Sequence, residues 1–545
     1  MSEADRQAEP TTRGEQSLGG GVRTVGGLTL ISRVLGLVRD LLLVRVFGNT
    51  AVGSAFAAAF AIPNVFRRLF GEGALSAAFL PEYTRLHRDD PEVAHRFATR
   101  VVLALALGSS ALLVVLELAL LGVLFAIGGD PDRAFAIGLV MLLLPFMPLV
   151  CVAAALGGVL HVHGRFAPAA AAPVLLNLFM ITGGAWHFAT GAEDPRRSAQ
   201  VIGVLAVVSG VAQVGWSLWA LRGRVRWTLV AAGVSGPVRT MLTRFVPVLI
   251  GLGTIQLNSL LDTLIAMYPN YIGPTLLGRD YPLTVDANAV LFFTQRLYQF
   301  PLGVFGIAVA TVIFPLLARA SDSPSSFIST VRSGLRLSLF ISLPATAGLI
   351  AVREPLIATL FSGGVGAASG FDDSGVERAS AVLLGYGVAV WAYSLNHVLA
   401  RAFYALGDTR SPMRIAIVVV FLNTALNLML IWPLGEAGLA WATGATAVLQ
   451  TFWLGVSLRK KLGTPLFDAE SVRSIARSAA GGLACGAGAA LCVLWTPGML
   501  TGLGAEAGAW HSAALTLAAA VIAGVGVYGL LSIRRPELRS LLSRG

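Results

Sequence analysis

Long apolar runs separated by short polar loops dominate this chain. Runs of about 18 or more mostly apolar residues, each long enough to cross a bilayer as a helix, recur between residues 26 and 532. The pattern predicts an all-α polytopic membrane protein with about fourteen transmembrane helices. The predicted spans are 26–47, 53–80, 98–127, 135–160, 168–190, 199–221, 241–268, 287–318, 329–352, 379–404, 411–432, 437–458, 473–496 and 509–532.

A weak internal repeat relates the two halves of the chain. The segment EGALSAAFLPEYTR (72–85), at the second span, is similar to GIAVATVIFPLLAR (306–319), at the eighth. The fifth and eleventh spans also share a layout, in which a basic residue and a proline precede an apolar run containing asparagine (165–181 and 409–430). A repeat of six spans predicts two pseudo-symmetric six-helix lobes around a central cavity, a common transporter plan, followed by two extra helices.

The repeat and the loops together predict a domain organisation. The predicted segments are a disordered cytoplasmic tail (1–25), an N-lobe of six helices (26–222), a C-lobe of six helices (239–458), helices 13 and 14 (471–532) and a basic cytoplasmic tail (533–545).

The charge of the chain fits a membrane protein better than a nucleic-acid-binding one. Its net charge is +11, and its mean hydropathy is +0.75. The basic residues cluster in the even-numbered loops, for example at 222–226 and 459–461, which places both termini in the cytoplasm by the positive-inside rule. Because lipid head groups and topology account for this charge, no nucleic acid partner is predicted.

In three predicted spans, arginine is expected to face the interior of the protein. SRVLGLVRD (32–40) lies in the first, IPNVFRRLFGEG (62–73) in the second and FFTQRLYQFPLGVFG (292–306) in the eighth, where Pro301 predicts a break in the helix. Helical spacing groups the polar residues of each span on one face. The candidate substrate-binding residues are Ser32, Arg33, Arg39, Asp40, Asn64, Arg67, Arg68, Glu72, Arg296 and Gln299.

Several arginines in one membrane protein need a physical reason. Each costs about 2.5–3.5 kcal/mol at the middle of a membrane helix unless it faces water or a partner. Asp40 and Glu72 are too few to neutralise them, so the surplus charge predicts an aqueous cavity for an anion, and the guanidinium fork suits phosphate or diphosphate. The alternatives are snorkelling or structural ion pairs with Asp40 and Glu72; one of the adjacent Arg67 and Arg68 is then structural.

Asp262, in QLNSLLDTLIA (256–266), lies in the seventh span without a nearby basic residue. An intramembrane carboxylate is a candidate for binding a cation or a proton, and the alternative is a neutral aspartate hydrogen-bonded within the bundle. His161 and His163 form an incomplete zinc pattern, and no Walker, dinucleotide-binding or nucleophile-elbow motif is present. The sequence therefore predicts no enzymatic chemistry.

Four sequence blocks resemble one known family. SRVLGLVRDLLLVRVFG (32–48), AIPNVFRRLFGEGALSAAFLPEY (61–83), FPLGVFGIAVATVIFP (300–315) and ARAFYALGDTRSPMRIAI (400–417) closely resemble the MurJ (MviN) lipid II flippases, which belong to the multidrug/oligosaccharidyl-lipid/polysaccharide exporter superfamily. The resemblance implies fourteen helices, two lobes in a V shape and a lipid-tail groove formed by helices 13 and 14. It also implies that Arg33, Arg39, Arg67 and Arg296 hold the diphosphate of the substrate.

The resemblance further implies an ion site and a substrate. In some members a sodium site would fall on Asp262, Asp408, the Val420 carbonyl and Thr424; no other cofactor is implied. The implied partners are lipid II, membrane lipids and the peptidoglycan synthesis and division machinery, at the bacterial plasma (inner) membrane. Ser54 and Gln299 depart from acidic residues found in some members, so an ion pair that closes the outer gate is expected to be absent or built differently.

Four other functions remain open from the sequence. They are a flippase for another prenyl-diphosphate-linked glycan, a cation-coupled drug antiporter of the same superfamily, a transport-inactive scaffold, and a membrane glycosyltransferase using Asp372 and Asp373. An antiporter would need an acidic, aromatic cavity, and the arginines disfavour it. A glycosyltransferase would need catalytic carboxylates beside a lipid-phosphate site, and the first outer loop, GNTAV (48–52), has none.

Overall fold

The chain is a helical membrane protein with a single small β-hairpin among its described residues. The computed structural model describes the backbone of residues 9–71, 74–126, 129–230, 232–363, 370–502, 509–533 and 535–538, and side chains from Thr24 onward except at a few positions, mainly within 71–77, 247–255 and 304–307. The helices group into two compact units.

The first unit comprises Met1–Val46, Ala55–Thr263 and Asn270–Ile272. Its helices are α1 (Glu9–Phe47), α2 (Ala51–Gly71), α3 (Ala74–Asp89), α4 (Pro91–Ala126), α5 (Pro131–Leu143), α6 (Phe146–Val162), α7 (Ala167–Thr190), α8 (Pro195–Ala220) and α9 (Ser235–Ala266). Part of its core is a stack of aromatic rings in which Phe79 packs on Tyr83 and on Phe97, at centroid distances of 5.1 and 5.5 Å.

The second unit comprises Phe47–Ser54, Leu264–Pro269 and Gly273–Gly545, so it includes the start of α2. Its elements begin with α10 (Tyr268–Tyr271), which the two units share, and an antiparallel hairpin of β1 (Thr275–Leu276) and β2 (Arg279–Asp280). They continue with α11 (Ala287–Pro301), a π-helical turn (Leu302–Gly306), α12 (Ile307–Arg319), α13 (Pro324–Ala351), α14 (Arg353–Phe361), α15 (Asp373–Gly387), α16 (Val390–Ala405), α17 (Arg410–Leu434), α18 (Glu436–Leu462), α19 (Ala469–Gly502) and α20 (Ala509–Ser532).

Ten helical segments among the described residues are long and apolar enough to cross a membrane. They are Pro91–Ala126, Pro131–Val162, Ala167–Thr190, Pro195–Ala220, Pro324–Ala351, Asp373–Ala405, Arg410–Leu434, Glu436–Leu462, Ala469–Leu500 and Trp510–Ser532. The other four predicted spans correspond to α1, α2 with α3, α9, and α11 with α12. These four contain Asp262 and the predicted arginines.

Two features of the fold differ from the boundaries predicted by the sequence. Helix α1 begins at Glu9, whereas residues 1–25 were expected to be disordered; extending an existing helix fixes one residue per hydrogen bond and avoids the unfavourable nucleation step. Helix α9 packs with the first unit as far as Thr263, although its span is the seventh of the chain. The predicted break at Pro301 is confirmed, since α11 ends there and the π-helical turn follows.

Candidate functional site

The polar face of α1 is tied to α7 through a single buried asparagine. The Arg39 Nη1 donates to the Asn177 side-chain oxygen at 2.8 Å, and the Asn177 nitrogen donates to the Ser32 carbonyl at 3.0 Å. The Arg39 Nε and Nη2 both donate to one Asp40 oxygen, at 3.0 and 2.7 Å. The side chains of Arg39 and Asp40 are only 11% and 13% exposed. An Arg39–Asp40 ion pair, one of the alternatives considered from the sequence, is therefore present, and the role of Arg39 in substrate binding stays a prediction.

Arg33 is in a different environment on the same helix. Its side chain is exposed, and within the described chain it forms neither an ion pair nor a side-chain hydrogen bond. The helix thus presents one arginine that is already partly neutralised and one whose full charge is accessible to a ligand. An accessible guanidinium can bind an anion through its N–H groups, so Arg33 stays a candidate for contact with phosphate.

The second helix holds its arginine on the predicted face. The Arg67 Nε donates to the Asn64 side-chain oxygen at 3.1 Å, and the Asn64 nitrogen donates to the Phe60 carbonyl at 3.0 Å. The Arg39 guanidinium carbon also lies 5.7 Å from the centre of the Phe60 ring, so this cation–π contact joins α1 to α2. Arg68 is half-buried on an adjacent part of the surface. Glu72 lies outside the described residues.

In the second unit, Arg296 is held by neighbours on its own helix. Its Nη1 donates to the Gln299 side-chain oxygen at 3.4 Å, and its guanidinium carbon lies 4.7 Å from the centre of the Phe292 ring. Gln299 in turn donates to the Gln295 side-chain oxygen at 3.5 Å. Gln299 is thus a neutral partner where some members of the resembling family have a carboxylate. These neutral neighbours help to orient Arg296.

The candidate arginines therefore divide between the units: Arg33, Arg39, Arg67 and Arg68 lie in the first unit, and Arg296 lies in the second. Within the first unit, Arg39 and Arg67 are linked through contacts to Phe60 and its carbonyl. That all five line one cavity stays a prediction.

Ser54 supplies a neutral contact at the start of α11. Its buried hydroxyl accepts the Ala289 N–H at 2.9 Å, and its carbonyl accepts the Asn288 side-chain nitrogen at 2.9 Å. The residue preceding α11, Asp286, makes no side-chain cap because its carboxylate binds Arg378 and Thr284. Ser54 thus acts as the cap of a helix distant in sequence. The contacts of Ser54 are thus neutral hydrogen bonds, and the changed outer gate stays a prediction.

The predicted sodium ligands do not form one group. Asp408 precedes α17, where it accepts hydrogen bonds from the Lys461 ammonium at 2.6 Å and from the Ser411 backbone and hydroxyl at 2.9 and 2.8 Å. These bonds hold the pKa of Asp408 well below its usual range. Thr424 donates to the Val420 carbonyl on the same helix. At 1.5 Å per residue, Thr424 lies about 21 Å along α17 from Arg410, the first residue of that helix. Asp408 and Thr424 therefore cannot bind one ion together, and Asp262 is half-buried in α9 of the first unit.

Sequence reasoning missed a buried polar cluster between α17 and α18. The Asn423 side-chain nitrogen lies within hydrogen-bonding distance of the Thr443 and Thr446 hydroxyls, at 3.4 and 3.2 Å, and Asn427 donates to the Asn423 oxygen at 3.0 Å. Both asparagines are almost fully buried. The available signal was the pair of asparagines four residues apart, which places them on one helix face.

Two histidines that are far apart in the sequence meet at one end of α3. The His163 ring nitrogen lies 3.0 Å from the Tyr83 hydroxyl, and the ring centroids of His87 and His163 are 4.7 Å apart. Burial, the imidazoles of His87 and His95, and the Arg224 guanidinium lower the pKa of His163 to about 4. Among the described residues no group of three or more His, Cys, Asp or Glu could hold a metal ion. Of the two residues of the incomplete zinc pattern, His163 thus belongs to a half-buried cluster with His87 and Tyr83, and His161 stacks on Phe166.

An apolar cavity borders α19, the first of the two helices expected to form a lipid-tail groove; α20, the second, contributes none of its described wall residues, so that groove stays a prediction. It has a volume of about 540 Å³ and lies against α13, α14 and α19. Its walls include Ala347, Ile350, Leu483, Gly486 and Leu494. At Gly486 the lack of a side chain lets α19 approach α13 closely, since an added Cβ would lie 3.0 Å from the Ala347 Cβ.

Comparisons with known proteins agree with this arrangement. The family model "Lipid II flippase MurJ" matches residues 43–504. The chain is 33% identical over 449 residues to a "Probable lipid II flippase MurJ" of Vibrio cholerae, covering 78% of this chain and 80% of the relative.

Solved structures show the same fold. A lipid II flippase MurJ in an inward closed conformation superposes with a TM-score of 0.73 at 21% identity, covering 95% of this chain and 99% of that one. An inward-facing multidrug resistance MATE family transporter of the MOP superfamily superposes with a TM-score of 0.64 at 13% identity, covering 81% and 98%. Together with the sequence match across most of its length, the arginine-bearing helices place this multi-pass membrane protein in the MurJ family of lipid II flippases.

Proposed function

We propose that this protein moves lipid II, the lipid-linked peptidoglycan precursor, from the cytoplasmic to the outer leaflet of the bacterial plasma membrane. The observation that carries the proposal is the pair of arginines on α1. Arg39 is held in place by Asp40 and Asn177, while the exposed Arg33 has no ionic partner in the described chain. Because the chain belongs to the lipid II flippase family, we expect the phosphate that these arginines bind to be the diphosphate of lipid II.

The chemistry of the substrate matches these side chains. A diphosphate presents several acceptor oxygens, and guanidinium groups bind such oxygens through parallel hydrogen bonds. The first unit presents Arg33, Arg39, Arg67 and Arg68 against Asp40 among its described candidate residues, so this region keeps a net positive charge. A cationic drug would be repelled by such a surface, which disfavours the antiporter alternative.

Transport then follows by alternating access. The head group enters between the lobes from the cytoplasm, the arginines replace its counter-ions, and the lobes rock so that the site opens outward while the prenyl tail stays in lipid. The apolar cavity beside α19 fits a segment of such a tail. A potential of 100 mV is worth about 2.3 kcal/mol per charge, so an inside-negative membrane favours outward movement of the anion.

The remaining expectations form part of the same proposal. Both termini lie in the cytoplasm, no covalent chemistry takes place, and a sodium ion at Asp262 resets the empty carrier. Asp408 is left out of this ion site because its carboxylate is already bound by Lys461 and Ser411. The peptidoglycan synthesis and division enzymes are proposed partners because they supply and consume the substrate.

Complementation tests the function directly. A strain depleted of its own lipid II flippase is supplied with the wild type or with Arg33→Ala, Arg67→Ala or Arg296→Ala, and membrane abundance is measured for each. We expect the wild type to restore growth and the three variants to fail at equal abundance. Arg88→Ala, which removes an exposed arginine paired only with Asp89, is the matched control and should still restore growth.

Each other result has a definite meaning. If the wild type is abundant but never restores growth, the substrate is another prenyl-diphosphate-linked glycan. If all three arginine variants restore growth, the arginine mechanism is wrong and a scaffold role becomes the better explanation.

A further inference from the structure

A cavity at one end of the first unit combines three arginines with two tryptophans. Its volume is about 520 Å³, within the range of small-ligand sites. The loop after α6, the first residues of α7, the end of α8 and Thr24 of α1 form its walls. The side chains used in the argument are Arg165, Phe166, Trp216, Trp219, Arg222 and Arg224. None of them belongs to the candidate site on α1 and α2.

The three arginines of this cavity lack protein counter-ions. Within the described chain, Arg165, Arg222 and Arg224 form no ion pair and no side-chain hydrogen bond. Other arginines of the same unit are paired, such as Arg85 with Glu82 and Arg96 with Glu92. Among the residues that the structure describes, no acidic side chain lines the cavity. Three like charges around one cavity repel each other unless an anion joins them.

Ordered backbone turns hold these arginines at the cavity. Gly164 and Gly223 have φ values of +69° and +71°, a conformation that favours glycine, and each adjoins the arginines. The Arg165 N–H donates to the Leu160 carbonyl at 2.8 Å, and the Arg224 N–H donates to the Leu221 carbonyl at 3.0 Å. The positions of the charges are therefore set by helix ends and do not depend on a long loop.

The aromatic residues indicate where this ligand comes from. Trp216 and Trp219 lie three residues apart at the end of α8, which is one of the membrane-spanning helices. Trp219 is 66% exposed. Tryptophans at the ends of such helices settle at the level of lipid head groups. A ligand that contacts both the arginines and these rings must therefore reach the membrane interface.

We infer that this cavity binds the head-group phosphate of an anionic phospholipid, separately from the transported substrate. The arginines contact the phosphodiester, and the two tryptophans contact the glycerol and the upper part of the acyl chains. Basic pockets between transmembrane helices on the cytoplasmic side are known to take such head groups. The interfacial tryptophans favour a lipid over a soluble phosphate compound.

Lipid titration of the purified full-length chain tests this site. The delipidated protein in detergent is titrated with phosphatidylglycerol or phosphatidylcholine, and bound lipid is counted by native mass spectrometry. We expect Arg222→Gln with Arg224→Gln to weaken phosphatidylglycerol binding by roughly 10-fold or more, given the contribution of each basic residue near a lipid surface. Phosphatidylcholine binding should not change. The control, Arg319→Gln with Arg410→Gln, removes two exposed arginines of the second unit and should bind like the wild type.

A second variant and a competitor separate the possible sources of phosphate. Trp219→Ala should weaken lipid binding by a few-fold. Inorganic phosphate at about 10 mM should not displace the lipid, because phosphate contacts only the arginines whereas the lipid also contacts the tryptophans. Equal phosphatidylglycerol binding by wild type and by the Arg222 and Arg224 double variant overturns the proposal. So does displacement by inorganic phosphate with no effect of Trp219→Ala, because the ligand is then a soluble phosphate compound. Because all three side chains are exposed, thermal unfolding should match that of the wild type, which keeps the comparison free of folding defects.

Discussion

The Arg39 guanidinium and the Asn177 amide oxygen are 2.8 Å apart, which joins α1 to α7 at the polar face of α1. Asn177 also donates to the Ser32 carbonyl. It therefore holds both the Arg39 side chain and the α1 backbone about two turns before Arg39. The charge that we assign to substrate binding therefore depends on a residue 138 positions away.

Replacing Asn177 with alanine should impair transport at nearly normal protein levels. The buried Arg39 N–H would lose its acceptor, at about 1–3 kcal/mol, and the guanidinium would turn further toward Asp40. We expect the appearance of labelled lipid II at the outer leaflet to slow on the order of 10-fold. Asn396→Ala is the control, because Asn396 donates to the Ala447 carbonyl between α16 and α18 and touches none of the candidate arginines. Equal transport by both variants would contradict a positioning role for Asn177.

Ser54→Ala should lower the stability of the second unit, and Ser54→Asp should not. The alanine leaves the Ala289 N–H without its side-chain acceptor, at about 1 kcal/mol or more, whereas a carboxylate can accept the same bond at a helix N-terminus. Thermal unfolding in detergent measures the difference. Ser209→Ala is the control, since that equally buried hydroxyl bonds only to the Ala206 carbonyl of its own helix. An unchanged melting temperature for Ser54→Ala would remove the capping role.

Arg378 links three segments of the second unit, and its loss should be severe. Its Nη1 lies 2.6 Å from Asp286 and its Nε lies 2.5 Å from Glu436, and both carboxylates are largely buried. Arg378→Leu would leave two nearby negative charges without their shared counter-ion, at on the order of 3 kcal/mol. Arg353→Leu breaks an exposed pair with Glu354 and should change the free energy of unfolding by less than about 1 kcal/mol. Comparable unfolding curves for the two variants would show that the Arg378 ion pairs contribute no more to the free energy of unfolding than an exposed pair does.

Acid should destabilise the first unit through His163. Its pKa is lowered to about 4 from the ordinary value of 6.5, so between these values the unfolded chain binds a proton that the folded chain does not. Stability therefore rises with pH across this window and is fully present above it. His87, His95, Tyr83 and Arg224 surround the ring, and protonation would place a new charge beside them.

Thermal unfolding between pH 7.5 and pH 4.5 measures this dependence. His163→Gln keeps a polar partner near Tyr83 but cannot titrate, so its melting temperature should fall less steeply than that of the wild type. His511→Gln alters a histidine of the second unit and serves as the control. Parallel curves for the wild type and His163→Gln would rule out this residue as the source of acid sensitivity.

Asp262, in the proposed ion site, and Asp408, which we exclude from it, should behave differently when replaced by asparagine. Asp262→Asn should abolish any stimulation of lipid II transport by a sodium gradient in proteoliposomes, because the proposed carboxylate is lost. Asp408→Asn should leave the sodium response intact and should lower thermal stability, because it weakens the contacts with Lys461 and Ser411 at the start of α17. A sodium response that disappears in Asp408→Asn and persists in Asp262→Asn would reverse this assignment.

The sequence by itself determined the membrane-spanning helices and the faces of α1, α2 and α11 that carry arginine. Both follow from short-range rules, because the bilayer sets the length of an apolar run and the helical repeat sets which residues share a face. The grouping of Asn64 with Arg67, the pair formed by Arg39 and Asp40, and the break at Pro301 are all local in this sense.

Only the tertiary structure decided which partners these residues have. Asn177 beside Arg39, Ser54 on the first turn of α11, and His87 beside His163 all come from elements distant along the chain. The family resemblance implied a sodium ligand at Asp408, whereas packing brought Lys461 to it. Helix packing in lipid depends on close contact between many small residues, and no single-residue pattern specifies which two helices meet or in which register. The sequence specifies the chemical group at each position, and the packing of the helices decides which group it contacts.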